Sequence, residues 1–216
     1  MNADTLKLPP MPARIAKLPK NARGYPVPYF VAWIDGLPDF RLVRPETARE
    51  ARVRKLCWIC GEPLGAQQTF AIGPMCVVNR NSGEPPSHRQ CAEFAVKACP
   101  FMLKPNMERR EDDLTRECKN NVPGIAIPRN PGVMCLWTSA NGKPVPDGRE
   151  RYLWNIGDHK HVSWWREGRP ATYAEIHASI MSGIPLLREV DGNDPKANAE
   201  IDRLAGRALI LAQTTC

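Results

Sequence analysis

Apolar and polar positions divide the chain into short strand-like runs and a few helical stripes. Tyr29-Phe-Val-Ala-Trp-Ile34 is rich in strand formers, with Trp33 read as a core residue, and Asp35-Gly36 is a hairpin turn signal. Phe40–Val43 is the return strand. Pro45–Leu56 reads as a helix, with proline in its first turn and a thin apolar stripe of Ala48, Ala51 and Val53 or Leu56. Ser87 and Gln90 match a capping box that opens a helix over His88–Ala98. Further on, Val133–Thr138, Arg151–Ile156 and His161–Trp165 read as three strands of an antiparallel meander. Trp137, Trp154 and one of Trp164 and Trp165 would fill its inner face. Thr172-Tyr-Ala-Glu175 is a second capping box, opening a helix that Gly183 and Pro185 should stop. Asp194-Pro195 starts the last helix, whose stripe is Ile201, Leu204, Ala205, Ala208 and Ala212.

This pattern predicts an α+β chain in four parts. Residues 1–26 are a flexible basic arm. Residues 27–100 hold a β-hairpin, a basic helix and a metal module. Residues 101–131 are a linker with a short solvated helix over Glu108–Lys119, and residues 132–216 carry antiparallel strands plus two helices. Twenty-two prolines and 15 glycines in 216 residues favour turns over long helices. Net charge is +7, and its placement matters more than its size. Residues 1–56 carry 11 Lys/Arg against five Asp/Glu, whereas 57–150 carry 11 against 10 and 151–216 eight against eight. The first 30 residues contain no apolar run of signal-peptide length, and no stretch approaches the ~18 to 20 apolar residues of a membrane span. The expected setting is a reducing cytoplasm, without a membrane partner.

Cysteine usage supplies the sharpest chemistry. Cys57-x-x-Cys60-Gly61 is answered by His88-x-x-Cys91. Two thiolates two residues apart can sit on one tight turn, and a His and a Cys in the first turn of a helix share a face, so the four suit one tetrahedral, structural Zn2+. A redox use of Cys57 and Cys60 lacks the βαβ context it needs and leaves His88 and Cys91 unexplained. Cys76 is the alternative to His88 as fourth ligand. Cys99, roughly 12 Å along the helix axis from Cys91, is out of reach. Cys118, Cys135 and Cys216 are read as unliganded.

The arrangement Cys57 to Gly61, then His88 and Cys91 on a helix, resembles a treble-clef zinc finger. That resemblance implies a treble-clef-like zinc module with a β-hairpin between the ligand pairs, at Thr69–Asn79. The rest of the fold would be a small antiparallel sheet with C-terminal helices. The whole chain also looks like small uncharacterised bacteriophage and prophage proteins, a resemblance that implies no activity but allows a host protein as partner.

Three functional classes follow. Arg49, Arg52, Arg54 and Lys55 on the predicted helix form a basic footprint for the phosphates of DNA or RNA, with Tyr25, Tyr29, Phe30, Trp33 and Trp58 nearby for stacking. Solvated charge and core aromatics are the plain reading of the same residues. A second class is a protein-binding adaptor or inhibitor of a host system. A third is a metal-assisted hydrolase using Asp158, His159 and His161, with Glu175 and His177 approaching from the next helix. Phe70–Val78 contains no histidine, which argues against a ββα-metal nuclease, and no P-loop, dinucleotide fingerprint or Gly-x-Ser-x-Gly elbow is present. The class favoured by the sequence is a zinc-stabilised, non-enzymatic nucleic-acid-binding protein.

Overall fold

The computed structural model describes residues 8–105, 107–111, 114, 123, 129–148 and 151–215. Its elements run α1 (Ala13–Ala16), β1 (Val31–Ile34), β2 (Leu37–Val43), α2 (Pro45–Arg54), β3 (Gln68–Ile72), α3 (Pro74–Asn79), β4 (Asn81–Ser82), α4 (Arg89–Ala98) and α5 (Pro100–Leu103). Then come β5 (Met134–Ser139), β6 (Lys143–Pro146), β7 (Tyr152–Asn155), β8 (His159–Arg166), β9 (Arg169–Pro170), α6 (Tyr173–Val190) and α7 (Pro195–Thr215). The class is α+β, with every strand pair antiparallel.

The strands form a β1–β2 hairpin, a sheet of order β3-β5-β8-β9 and a sheet of order β4-β7-β6. The expected single meander is therefore corrected. β5 pairs directly with β8, while β7 belongs to the other sheet and pairs with β6, a strand the alternation did not signal. Both larger sheets recruit a strand from before residue 100: β3 pairs with β5 and β4 pairs with β7. The main core lies where they meet. Phe70, Trp137, Trp154 and Trp164 are its buried aromatics, and Trp137 Nε1 donates to the Ile156 carbonyl at 3.2 Å. Each such ring removes about 150–250 Å² from water, worth about 4–6 kcal/mol at the usual area coefficient.

Two long helices cover this core. Thr172 caps α6 as the sequence predicts: its Oγ1 accepts from Glu175 N, and Glu175 Oε2 accepts from Thr172 N at 2.9 Å. The expected stop at Gly183 and Pro185 is wrong, because α6 continues to Val190 with Pro185 inside it. Pro185 costs a backbone hydrogen bond, about 3 kcal/mol. Burial of Ile176, Ile180 and Ile184 on one stripe offsets it. Gly183 is needed for packing: a Cβ there would lie 2.5 Å from Met75 Sδ of α3. On α7, Asp194 Oδ1 accepts from Ala197 N at 2.9 Å, and Ile201, Ala205, Ala208 and Ala212 are buried as their spacing predicts.

Toward the N-terminus three expectations change. Residues 8–18, expected as part of a solvated arm, pack instead on the cysteine module, with Ile15 on α1 fully buried. Trp33, expected in the core, is 46% exposed. The stripe on α2 reduces to Ala51 and the following Leu56, while Ala48 and Val53 face solvent. The solvated helix expected over Glu108–Lys119 falls largely outside the described residues, as do Cys118 and Cys216. Glu108 itself bridges to Arg129.

Candidate metal centre

The knuckle is a turn closed by its own backbone. Gly61 N donates to the Cys57 carbonyl at 2.9 Å and Cys57 N to the Glu62 carbonyl at 2.8 Å. Gly61 has φ +72°, and a Cβ there would fall 2.7 Å from the Tyr29 ring, so the position demands glycine twice over. Trp58, next to Cys57, donates its backbone N–H to the Pro86 carbonyl at 3.0 Å, which ties the knuckle to the entry of α4.

At that entry the capping box does not form. Ser87 is taken by a two-way backbone bridge with Thr69 of β3, at 2.7 and 2.9 Å, and the N-cap of α4 is His88. Cys91 is then the third residue of the helix. The strand expected to begin a hairpin at Thr69 is present as β3, but its return over 74–79 is the helix α3. Pro74 at the first helical position, after an extended Gly73, starts a helix where a second strand was expected.

These elements bring Cys57, Cys60, His88 and Cys91 together, with all four ligand atoms within 4.8 Å of one another. Cys60 Sγ lies 3.4 Å and Cys91 Sγ 4.0 Å from His88 Nδ1. The other ring nitrogen, His88 Nε2, is 3.0 Å from the Pro63 carbonyl. A carbonyl can only accept, so Nε2 carries the proton and Nδ1 presents its lone pair to the thiols. The Cys57 sulfur accepts N–H groups from His88 at 3.3 Å and Cys60 at 3.5 Å. Hydrogen bonds from the Cys60 and Cys91 thiols, then these amides, hold the Cys57 thiol far below its ordinary range. The thiolate at Cys57 in turn pushes Cys60 up to about 11 and Cys91 higher still. Three thiolates this close repel one another, so a cation among them would be needed to hold all three ionised. The four residues could hold a metal ion.

Cys76 is not part of this cluster. It lies on α3 and packs against the main core, where burial pushes its thiol up to about 11. Cys99 is the C-cap of α4, at the far end from the ligands, and Cys135 is fully buried in β5. The surroundings of the centre are Ile15, Ile59, Phe94 and Ala98, with Leu8, Met11, Leu18 and Leu64 at the edge. Glu62 on the knuckle pairs with Lys17 at 3.2 Å and Arg14 at 2.8 Å, which lowers its carboxyl pKa and fastens α1 over the site. Sequence reading missed Pro63 and Glu62, since neither a backbone acceptor nor a long-range ion pair leaves a motif.

The other candidate residues are dispersed. Asp158 pairs with Arg80 at 3.6 Å and accepts from Asn141. The His159 ring stands edge-on to Trp137 at 5.1 Å, and His161 Nε2 is 3.3 Å from Arg89. Glu175 is committed to Arg169 and to the α6 cap, while His177 is exposed beside Tyr173. Among the described residues, the cluster of three cysteines and His88 is the one group of three or more metal-type ligands brought together.

On α2, Arg49 and Arg54 are exposed, and Arg52 lies over the Tyr152 ring of β7 at 3.9 Å. Lys55 follows the helix in the left-handed conformation, so it leaves the stripe shared by Arg49 and Arg52. Among the described residues, no helix is long and apolar enough to cross a membrane. Comparison with protein-family models, with curated proteins and with solved structures finds no match, so nothing there supports the phage resemblance.

Proposed function

We propose that the ion is zinc, held in a closed structural site of a treble-clef-type module, and that the protein is a non-enzymatic binding protein contacting nucleic acid through its basic N-terminal half. Tetrahedral zinc with sulfur at ~2.3 Å and nitrogen at ~2.0–2.1 Å places neighbouring ligand atoms about 3.5–3.8 Å apart. The sulfur–nitrogen separations of 3.4 and 4.0 Å bracket that range. Cys60, Cys57 and Cys91 with His88 fill all four positions, which leaves none for a reacting water. Three thiolates reserved for a metal suit a reducing compartment, so the cytoplasm is the proposed setting.

The observation that carries the binding reading is the run of exposed cations ending at the knuckle. Arg49, Arg54 and Lys55 all face solvent, and Lys55 is two residues before Cys57. The metal would hold the end of α2 in place, and α2 would present its charge to phosphates. The test is duplex and single-strand binding as a function of salt. Each duplex phosphate neutralised contributes about −0.9 to the slope of log K against log salt. Replacing Arg49, Arg54 and Lys55 together by Gln should lower the slope by roughly two to three while zinc content and melting stay unchanged. Absence of any binding at ~50 mM salt, where counterion release favours it, defeats the reading and leaves a host-protein adaptor in its place.

A further inference from the structure

Arg80 and Arg207 share a small cavity on the main core. The cavity, of about 70 Å3, is lined by Val78, Trp137, Leu204 and Leu211 together with the two arginines. It lies between α3, which ends just before Arg80, and α7, which carries Leu204, Arg207 and Leu211. None of these residues belongs to the metal centre. A single water occupies about 10–15 Å3 of such space, so the cavity has room for a molecule of about five to seven non-hydrogen atoms.

The charge on its lining is positive and incompletely answered. Arg80 caps α3 in the left-handed conformation, φ +61°, and its guanidinium lies over the Trp137 ring at 4.4 Å. Its Nη2 donates to the Gly157 carbonyl and stands 3.6 Å from Asp158, a carboxylate 87% exposed to water. Its Nη1 donates to no group among the described residues, and its Nε is buried without an acceptor. Desolvation outweighs Asp158 and lowers the Arg80 pKa, so this cation is short of negative charge. Arg207 is exposed and makes no hydrogen bond or ion pair among the described residues. Glu200 feels its charge but is bound by Arg203 at 2.7 Å. The larger cleft beside His88 differs, because its Arg14 and Arg89 are paired with Glu62 and Glu93 at 2.8 and 2.7 Å.

Apolar walls with two under-compensated guanidiniums suit a small anion that also carries apolar carbon. A fully polar oxyanion would lose its water against Val78, Leu204 and Leu211, and a neutral chain would leave both arginines unanswered. We propose that this cavity binds a short-chain aliphatic carboxylate of about the size of butyrate. Its carboxylate sits between Arg80 and Arg207, and its chain lies against Trp137, Leu204 and Leu211. The site is independent of the nucleic-acid reading above.

The test is calorimetric titration of the full chain with sodium butyrate at constant ionic strength. One site should saturate with a Kd of about 1 mM, within the range that six non-hydrogen atoms deliver. Saturation should raise the melting temperature. Butanol, butylamine and inorganic phosphate should each bind at least about tenfold more weakly, since each lacks the charge or the chain. Arg80→Gln should weaken butyrate binding by about 10- to 150-fold, the worth of hydrogen bonds to a charged group. Arg80 also ties down Gly157, so Arg207→Gln is the variant that spares the fold. It should weaken binding by up to about fivefold, as an exposed ion pair does, with melting and metal content unchanged. Leu204→Trp fills the cavity and should abolish binding. Absence of saturation up to ~20 mM butyrate overturns the site. Wild-type affinity in both folded Arg207→Gln and folded Leu204→Trp overturns it as well. Equal affinity for butanol or phosphate overturns the carboxylate.

Discussion

The two cores of this protein are built on different terms. Around Phe70, Trp137, Ile176 and Ala208, two sheets and three helices bury large apolar side chains against one another. Around Cys57 and Cys91, a short turn, the start of one helix and the four-residue α1 enclose Ile15, Ile59 and Phe94 and little else. The first core closes by the hydrophobic effect alone. The second places four metal-type ligands where a larger domain would place leucines. A small core gains too little from burial to cover its conformational entropy, and an ion bound by the four residues would supply the difference. The two are also joined. β3 leaves the knuckle to pair with β5, and Ala92 and Val96 of α4 pack against Met134 and Leu136 of the same strand.

The largest effect should come from the metal. Structural zinc binding in small modules is worth about 10–16 kcal/mol at neutral pH. Chelation, or Cys57→Ser, should therefore release one ion per chain and lower the melting temperature sharply. Amide exchange should rise first over residues 57–100, with β5 following through β3. A metal-free protein that melts normally would show that the small core stands without an ion.

Next in size is the apolar core. Trp137→Ala should cost about 3–5 kcal/mol by opening a cavity and orphaning the Ile156 carbonyl. Metal content should remain stoichiometric in the folded fraction. Loss of metal from the folded fraction would mean that a cavity in the large core weakens the metal site as well.

A smaller effect lies at the α6 cap. Thr172→Ala should cost about 1 kcal/mol by denaturant unfolding, with no change at the metal centre. Arg169 first, then the Thr172 amide, hold the Glu175 pKa at about 2. A carboxylate lowered by folding stabilises most above its ordinary range near 4.3, and this contribution fades as pH falls toward 2. The stability difference between wild type and Glu175→Gln, measured on metal-free protein, should therefore shrink from pH 7 to pH 3. A constant difference would remove the ionic part of the cap.

The smallest effect concerns the seam between the halves. Arg52→Gln removes a guanidinium from the Tyr152 ring and should cost about 0.5–1 kcal/mol. An effect above about 2 kcal/mol would make this contact a main brace of α2.

What the sequence determined by itself is local. The Cys57–Gly61 turn, the ligand spacing in His88-x-x-Cys91, the Thr172 cap, the Asp-Gly hairpin turn and the stripe on α7 are each set by residues within a turn or two of one another. Their physics is complete at that range, so the pattern is readable. Tertiary structure decided the rest. Ser87 could cap a helix, but Thr69 claims its backbone from 18 residues away. Pro185 should end a helix, but packing on α3 holds it inside one. Trp33 carries the apolar signature of a core residue, yet the strand that would cover it is absent from the two-stranded ribbon. Arg14 and Lys17 read as solvated charge until Glu62 meets them. Pairings of β3 with β5 and β4 with β7 join distant stretches through backbone hydrogen bonds, which carry no residue code. Local preferences amount to about 1–3 kcal/mol each, and burial of a few large side chains exceeds them wherever the two disagree.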